Sequence, residues 1–152
     1  MGMDRYAENA RVRTVWDVAD THLRERYGFS ILDIVRKNPP QLTVCFGGPR
    51  GKRIRDNYRS IVTQDERSGR TVPLIREIGA NTKSFTFRSP QGLLFATQFS
   101  QPALVLVQKA AFEEMVEGGF VPDDAVFAGH SLGECVWQAP HHLSFRGLII
   151  TT

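Results

Sequence analysis

The stretch AVFAGHSLGE, residues 125–134, decides how the chain is interpreted. Its first four residues, Ala125–Ala128, are small or apolar and follow a polar turn, which predicts a short buried strand. The next five, 129–133, fit the pattern G-x-S-x-G, in which glycines let a serine sit on a sharp turn between a strand and a helix. A strand, a sharp turn and a helix in this order predict an α/β fold.

The serine of this turn, Ser131, is the candidate nucleophile. At a helix N-terminus, free backbone N–H groups and the helix dipole favour a developing oxyanion, and the N–H of Leu132 is the expected donor. His130 precedes the serine directly and points away from it, so we expect it to line a pocket and not to act as the base. An ordinary glycine-bounded turn is the alternative interpretation of the same residues.

Composition indicates a globular domain, or part of one, since 41% of the 152 residues are hydrophobic. The net charge of +3 suits a solvated surface better than a nucleic-acid interface. Cys45 and Cys135 have neither CxxC nor metal-ligand spacing, so we expect free thiols in a reducing compartment, the cytoplasm, and no metal site. We also expect no membrane association, because neither a signal core nor a membrane-spanning run is visible.

The N-terminal third predicts two helices followed by an extended segment. Apolar residues recur at helical spacing from Asn9 to Tyr27, and Gly28 ends that helix. Ser30 is the expected N-cap of a shorter helix, which ends before two prolines. Residues 42–46 are then predicted to be extended.

The stretch GGPRGKR, residues 47–53, superficially resembles a phosphate-binding loop. The spacing of its glycines is wrong and Arg53 stands where that loop needs a hydroxyl, so we predict a turn that enters a basic helix. Residues 65–70 are predicted to form a polar loop, and residues 72–78 and 84–89 to be extended or edge segments.

A long apolar helix is predicted within residues 93–119. Ser100 is its expected N-cap, Pro102 fits the first turn and the two glycines at 118–119 end it. Because its apolar face is nearly continuous, we expect this helix to be buried against a sheet.

Two long tracts carry a family resemblance: GFSILDIVRKNPPQLTVCFGGPRGKRIRDNY at 28–58 and GLLFATQFSQPALVLVQKAAFEEMVEGGFVPDDAVFAGHSLGE at 92–134. Both resemble the malonyl/palmitoyl transferase domain of the fungal fatty acid synthase beta subunit, and GMDRY at 2–6 is similar to a segment near the start of that domain. The presence of both SQPAL and GHSLGE makes the resemblance far more specific than the G-x-S-x-G turn, or nucleophile elbow, alone.

The resemblance implies part of the large acyltransferase subdomain, with an α/β-hydrolase-like core and without the smaller ferredoxin-like subdomain. It implies that Ser131 attacks the thioester of malonyl-CoA or a long-chain acyl-CoA and passes the acyl group to the phosphopantetheine arm of acyl-carrier protein. No bound cofactor is implied, and other fatty acid synthase domains or subunits are the expected partners. Gln101, in SQPAL, matches a pocket-lining glutamine of the family, although a plain helix residue would explain it equally well.

Some family residues have no match here. These are an oxyanion glutamine, an arginine that binds the malonyl carboxylate, and the catalytic histidine. After Glu134 the tail CVWQAPHHLSFRGLIITT, residues 135–152, departs from the family pattern, and neither its Arg146 nor its histidines at 141–142 replace the missing groups. We therefore divide the chain into 1–134, partial acyltransferase, and 135–152, divergent tail, and expect the chain alone to be inactive.

Two other functions use the same features. A serine esterase or thioesterase would use the elbow with water as acceptor. A non-catalytic fragment would only contact synthase subunits.

Overall fold

A computed structural model describes residues 1–65 and 68–126 of the chain. The elements, in order, are α1 Met3–Glu8, α2 Ala10–Tyr27, α3 Ile31–Lys37, β1 Gln41–Cys45, α4 Gly48–Ser60, β2 Val62–Gln64, β3 Thr71–Pro73, β4 Ser84–Arg88, a 3-10 turn Leu93–Phe95 and α5 Thr97–Glu117. The predicted helices at 9–27 and after Ser30, and the basic helix after residue 47, are confirmed.

Helix α2 forms the centre of the core. The side chain of Asn9 accepts hydrogen bonds from the N–H groups of Arg11 and Val12 and so caps its first turn. Gly28 ends the helix in the left-handed conformation, at φ 75°. One face of α2 is buried, and its members are Val12, Val15, Trp16, Ala19, Asp20 and Leu23.

Helices α2 and α5 pack side by side in opposite directions. One cavity is lined by Leu23 of α2 and Pro102 of α5, and another by Val12 of α2 and Ala110 of α5. The C-terminal half of each helix therefore lies against the N-terminal half of the other. Near the second cavity, Arg5 of α1 forms an ion pair with Glu114 of α5.

Two small antiparallel sheets complete the described part. Strand β1 pairs with β4 so that Thr43 lies opposite Thr86, with their hydroxyl oxygens 2.8 Å apart. Val44 and Phe87 are buried on the other face, as the alternation of side chains along a strand requires. Strands β2 and β3 pair around the loop at 65–70, so the predicted polar loop is a hairpin connection.

The predictions of extended structure are confirmed only in part. The segment at 84–89 forms β4, but of residues 72–78 only the first two are in a strand. The chain turns afterwards, with the N–H of Ile78 donating to Ile75 O at 3.2 Å, because burying Ile78 in the core requires it to bend inward.

The start of α5 differs from the prediction. The helix begins at Thr97, so Ser100 is not its N-cap and Pro102 lies inside it. The 3-10 turn at Leu93–Phe95 leads straight into the helix, and the N–H groups of Phe99 and Ser100 both donate to Ala96 O. Burial of Phe99, which is 1% exposed, offsets the hydrogen bond that the proline cannot donate.

The surroundings of α5 differ as well. In the described residues it packs mainly on α2, with smaller contacts to the 3-10 turn and α3, and not on a sheet as predicted. It meets a sheet in its first turn, where the Phe99 ring packs edge to face against Phe87 of β4 at 5.2 Å.

The segment 39–92 leaves the helical layer and returns to its starting point. Leu93 N–H donates to Pro39 O at 2.9 Å, and Ser89 N–H donates to Pro40 O at 2.9 Å. Asn38, in the left-handed conformation at φ 40°, accepts from Leu94 N–H and donates to Gln91 O. We call this set of contacts the clasp.

Helices and strands are thus both present, which agrees with a partial α/β domain. Every strand pair in the described ranges is antiparallel, so a hydrolase-like parallel core is not among them. Of the strand predicted at Ala125–Ala128, the first two residues are in no strand, and Val126 is 94% exposed. Residues 127–152 lie outside the described part.

Candidate functional site

Three of the four predicted site residues, Ser131, Leu132 and His130, lie outside the described residues. The fourth, Gln101, is half-buried near the N-terminal end of α5. The prediction of its pocket role therefore stays a prediction. What the structure does provide is the helix that carries Gln101 and the turns that follow it as far as Val126.

Gln101 belongs to a continuous row of side chains on α5, most of which are exposed, although Ala111 also lines the cavity against Val12 of α2. The row, which we call the outer stripe, follows the alternating spacing of three and four residues and comprises Thr97, Gln101, Leu104, Gln108, Ala111 and Met115. None of its members is charged, although 23% of the chain is. Sequence analysis missed this row, but its uncharged three–four spacing was a usable signal.

The charged residues of α5 lie outside the outer stripe, and Glu113, Glu114 and Glu117 face α1 and the start of α2. Lys109 forms an ion pair with Glu113 at 2.7 Å, and Glu117 accepts a hydrogen bond from Asn9 at 3.4 Å. The outer stripe itself carries no charged side chain, which suits an apolar or a neutral polar neighbour.

Next to Gln101, Pro102 points the other way, into a small cavity against α2. This cavity is also lined by His22 and Leu23. Burial, together with the nearby Arg26 guanidinium, lowers the pKa of His22 below its ordinary value. This shift favours the neutral form of the imidazole.

After α5 the chain reverses direction. Gly119 is in the left-handed conformation at φ 71°, and Phe120 N–H donates to Met115 O at 2.9 Å. A second turn follows, in which Ala125 N–H donates to Pro122 O at 3.1 Å. These two turns direct residues 125 onward from the C-terminal end of α5, and Ser131 follows six residues later.

One glycine of the stretch at 47–53, Gly51 in the first turn of α4, has a role in packing. A Cβ atom on Gly51 would lie 2.3 Å from the Phe46 carbonyl carbon, so only glycine lets the first turn of α4 approach the end of β1. Lys52, Arg53 and Arg59 are on the exposed side of that helix. The rejection of a phosphate-binding loop agrees with this geometry.

Among residues 1–65 and 68–126, no group of three or more His, Cys, Asp and Glu side chains is arranged to hold a metal ion. No helix in the same ranges combines the length and apolar character that crossing a membrane requires.

Comparison with known proteins identifies the family. The model of the acyl transferase domain family matches residues 1–138. The chain is 52% identical over 136 residues to fatty acid synthase subunit beta of Saccharomyces cerevisiae, and 50% identical over 137 residues to the same subunit of Schizosaccharomyces pombe and of Aspergillus oryzae. Each match covers 88% of this chain and 7% of the relative. The chain therefore belongs to the acyl transferase domain family, in the form found in fungal fatty acid synthase beta subunits.

Proposed function

We propose that this chain contributes the nucleophile of an acyl transferase that moves malonyl or long-chain acyl groups between CoA and acyl-carrier protein. The observation that carries the proposal is the family match over residues 1–138, which includes the whole G-x-S-x-G pattern. The relatives are fatty acid synthase subunits, which supports CoA thioesters and a carrier protein as substrates. We also propose a cytoplasmic location and contacts with other synthase domains.

The proposed reaction has two balanced steps. The Ser131 hydroxyl attacks the thioester carbonyl, the carbon–sulfur bond breaks, and CoA leaves with the serine proton on its thiol. The phosphopantetheine thiol then attacks the ester carbonyl, and the serine oxygen takes back a proton as it leaves. In both steps the Leu132 N–H stabilises the oxyanion, and His130 and Gln101 line the acyl pocket.

No residue of 1–134 matches the catalytic histidine of the family. A serine without a positioned base is a poor nucleophile near neutral pH, because its hydroxyl stays protonated. We therefore expect the chain alone to transfer acyl groups only slowly.

A chimaeric protein tests the nucleophile directly. In it, residues 1–134 replace the matching part of the acyl transferase domain of the Saccharomyces cerevisiae beta subunit, which supplies the remaining family residues. The protein is incubated with labelled malonyl-CoA or palmitoyl-CoA, and the acyl-enzyme is mapped by mass spectrometry. We expect label on Ser131 and none in Ser131→Ala, whereas label that survives the substitution would exclude this nucleophile.

The same protein separates the alternatives. A transferase delivers the label to the carrier protein, whereas an esterase or thioesterase releases it as free acid. A non-catalytic fragment would leave Ser131 unlabelled even in the chimaera.

A further inference from the structure

Helix α4 holds the entire positive excess of the chain. Its residues, Gly48–Ser60, include five basic side chains and one acidic side chain, so the helix carries a net charge of +4, whereas the complete chain carries +3. The rest of the chain is therefore slightly acidic, at −1. A charge surplus confined to one helix attracts anions to one place on the surface.

Three of the five bases form a row along α4. Lys52, Arg55 and Arg59 follow one another at three- and four-residue spacing, so they share one side of the helix. Lys52 and Arg59 are exposed, and Arg55 is half-buried. We call this row the basic stripe.

The cations of the basic stripe lack close partners within residues 1–65 and 68–126. Lys52 makes no ion pair or hydrogen bond there, and the buried Nε of Arg55 has no hydrogen-bond acceptor. The Asp56 Oδ1 atom lies 3.9 Å from Arg55 Nε and 3.7 Å from Arg59 Nη1, and both distances exceed those of hydrogen bonds. Because a buried donor without an acceptor is costly, the basic stripe favours a further anion that presents several oxygens.

The basic stripe and Gln101 lie at the same end of the α2–α5 pair. The Tyr58 hydroxyl of α4 donates to Tyr27 O at 2.9 Å, which fixes α4 to the C-terminal end of α2. Tyr27 also lines the cavity that Pro102 enters, and Gln101 directly precedes that proline. An anion on the basic stripe is therefore bound at the end of the molecule that carries the proposed acyl-pocket residue.

We propose that the basic stripe binds a phosphate group of the acyl donor or acceptor. This inference rests on the proposed function, because CoA and the phosphopantetheine arm both carry phosphate at the end of the pantetheine chain remote from the thioester. Arginine donates two parallel hydrogen bonds to phosphate oxygens, and lysine adds a point charge. The site differs from a phosphate-binding loop, since side chains and not backbone N–H groups hold the anion.

This position predicts how the site affects the reaction. The phosphate is far along the substrate from the reacting carbonyl, so its contacts are equally strong in the ground state and the transition state. Such uniform binding lowers KM and leaves kcat unchanged.

Calorimetry on the 152-residue chain tests binding without any chemistry. CoA and 4′-phosphopantetheine are compared with pantetheine, which carries no phosphate. We expect pantetheine to bind at least about tenfold more weakly, as does either phosphate ligand to the double variant Lys52→Gln/Arg59→Gln, since charge-assisted hydrogen bonds are lost. Both substituted residues are exposed, and thermal unfolding confirms that the variant folds.

Arg53→Gln is the matched control. It removes an exposed charge from the same helix, but Arg53 lies about 120° round from Arg59, off the basic stripe. We expect less than about a twofold loss of CoA binding, the size of a screened surface effect. Absence of phosphate-dependent binding in the parent chain, or an equal loss per charge in the control, would overturn the proposal.

Kinetics in the chimaera identify the source of the phosphate. The double variant should raise KM about tenfold for malonyl-CoA if CoA is bound, or for the carrier protein if its arm is bound, with kcat unchanged in both cases. Transfer from the malonyl thioester of N-acetylcysteamine, which has no phosphate, should not change on the donor side. If a carrier protein without its arm binds as well as the complete one and loses as much in the variant, the stripe recognises an acidic protein face, and the phosphate site is wrong.

Labelling of Ser131 is read separately. Phosphate-dependent binding through the basic stripe without labelling contradicts the proposed function alone. Labelling with an unchanged KM in the double variant contradicts the phosphate site alone.

Discussion

Asp20 and Ser30 join α2 to α3 through a buried hydrogen bond of 2.6 Å, in which the serine hydroxyl donates to Oδ1. The same carboxylate oxygen accepts from Leu32 N–H at 3.0 Å, and Oδ2 accepts from Arg24 at 2.6 Å. The serine in turn accepts from Asp33 N–H at 3.0 Å. The N-cap that the sequence predicts is thus held in place by an acid from the preceding helix.

Replacing this acid should destabilise the chain markedly. Asp20→Ala leaves a buried hydroxyl and a buried N–H without an acceptor, so we expect a loss of about 2–4 kcal/mol in the free energy of unfolding. Urea denaturation measures the change. Glu25→Ala, at an exposed position of the same helix, is the control and should change stability by less than about 0.5 kcal/mol. Equal effects of the two substitutions would contradict the role given to Asp20.

The approach of α4 to β1 predicts a contrast between neighbouring glycines. Gly51→Ala forces a methyl group against the Phe46 backbone and should cost about 1–3 kcal/mol or more. Gly47→Ala meets no atom within 4 Å and has an ordinary φ of −72°, so we expect almost no loss. Thermal unfolding of both variants decides the matter, and an equally stable Gly51→Ala would show that the contact is not tight.

Asp33 predicts a small acid-dependent effect on stability. Its hydrogen bond with Lys37, at 2.8 Å, and the charges of Lys37 and Arg24 hold the pKa of the Asp33 carboxyl below its usual value. A depressed pKa contributes stability above the pKa of the unfolded state and loses it as the pH falls through the folded value. Lys37→Gln should therefore weaken the decline in stability below about pH 4, by only ~0.5 kcal/mol because the pair is exposed.

Urea titrations from pH 6 to pH 2 follow this effect. Lys52→Gln, on the exposed side of α4, is the matched control. A parallel pH profile for Lys37→Gln and the parent chain would rule out the contribution of the pair.

The proposed role of Gln101 in lining the acyl pocket predicts a selective loss of acyl transfer in the chimaera. Gln101→Ala should lower kcat/KM for acyl transfer about tenfold, the loss expected for roughly one hydrogen bond to the acyl group. Gln98→Ala, on the same helix but off the outer stripe, should leave the rate unchanged. If both variants transfer at the parent rate, Gln101 is only a helix residue.

The sequence correctly predicted those helix ends that are determined by one or two neighbouring residues. Ser30 and Gly28 mark helix ends through their own backbone and side-chain chemistry, and both predictions are confirmed. Ser100 misled because it resembles a cap, while the true start at Thr97 depends on the preceding 3-10 turn and on burial of Phe99 against Phe87. That contact joins residues far apart in sequence, so no local pattern contains it.

The candidate site could be assigned from the sequence only because long tracts of the chain resemble a known family. The glycine spacing around Ser131 suggested a turn, but the same spacing also occurs in ordinary loops. The tract that contains Gln101 made the assignment specific, since periodicity alone predicted a helix and nothing about its function.

The clasp also bears on how such a domain changes in evolution. Because a hydrogen bond joins Pro39 to Leu93, the two ends of the segment between them lie side by side, as the ends of an insertion do. The segment is nevertheless held to the core, since Phe87 packs edge to face against Phe99. The segment therefore begins and ends like an insertion but packs as part of the domain core. We expect its surface residues to tolerate substitution and its core residues not to.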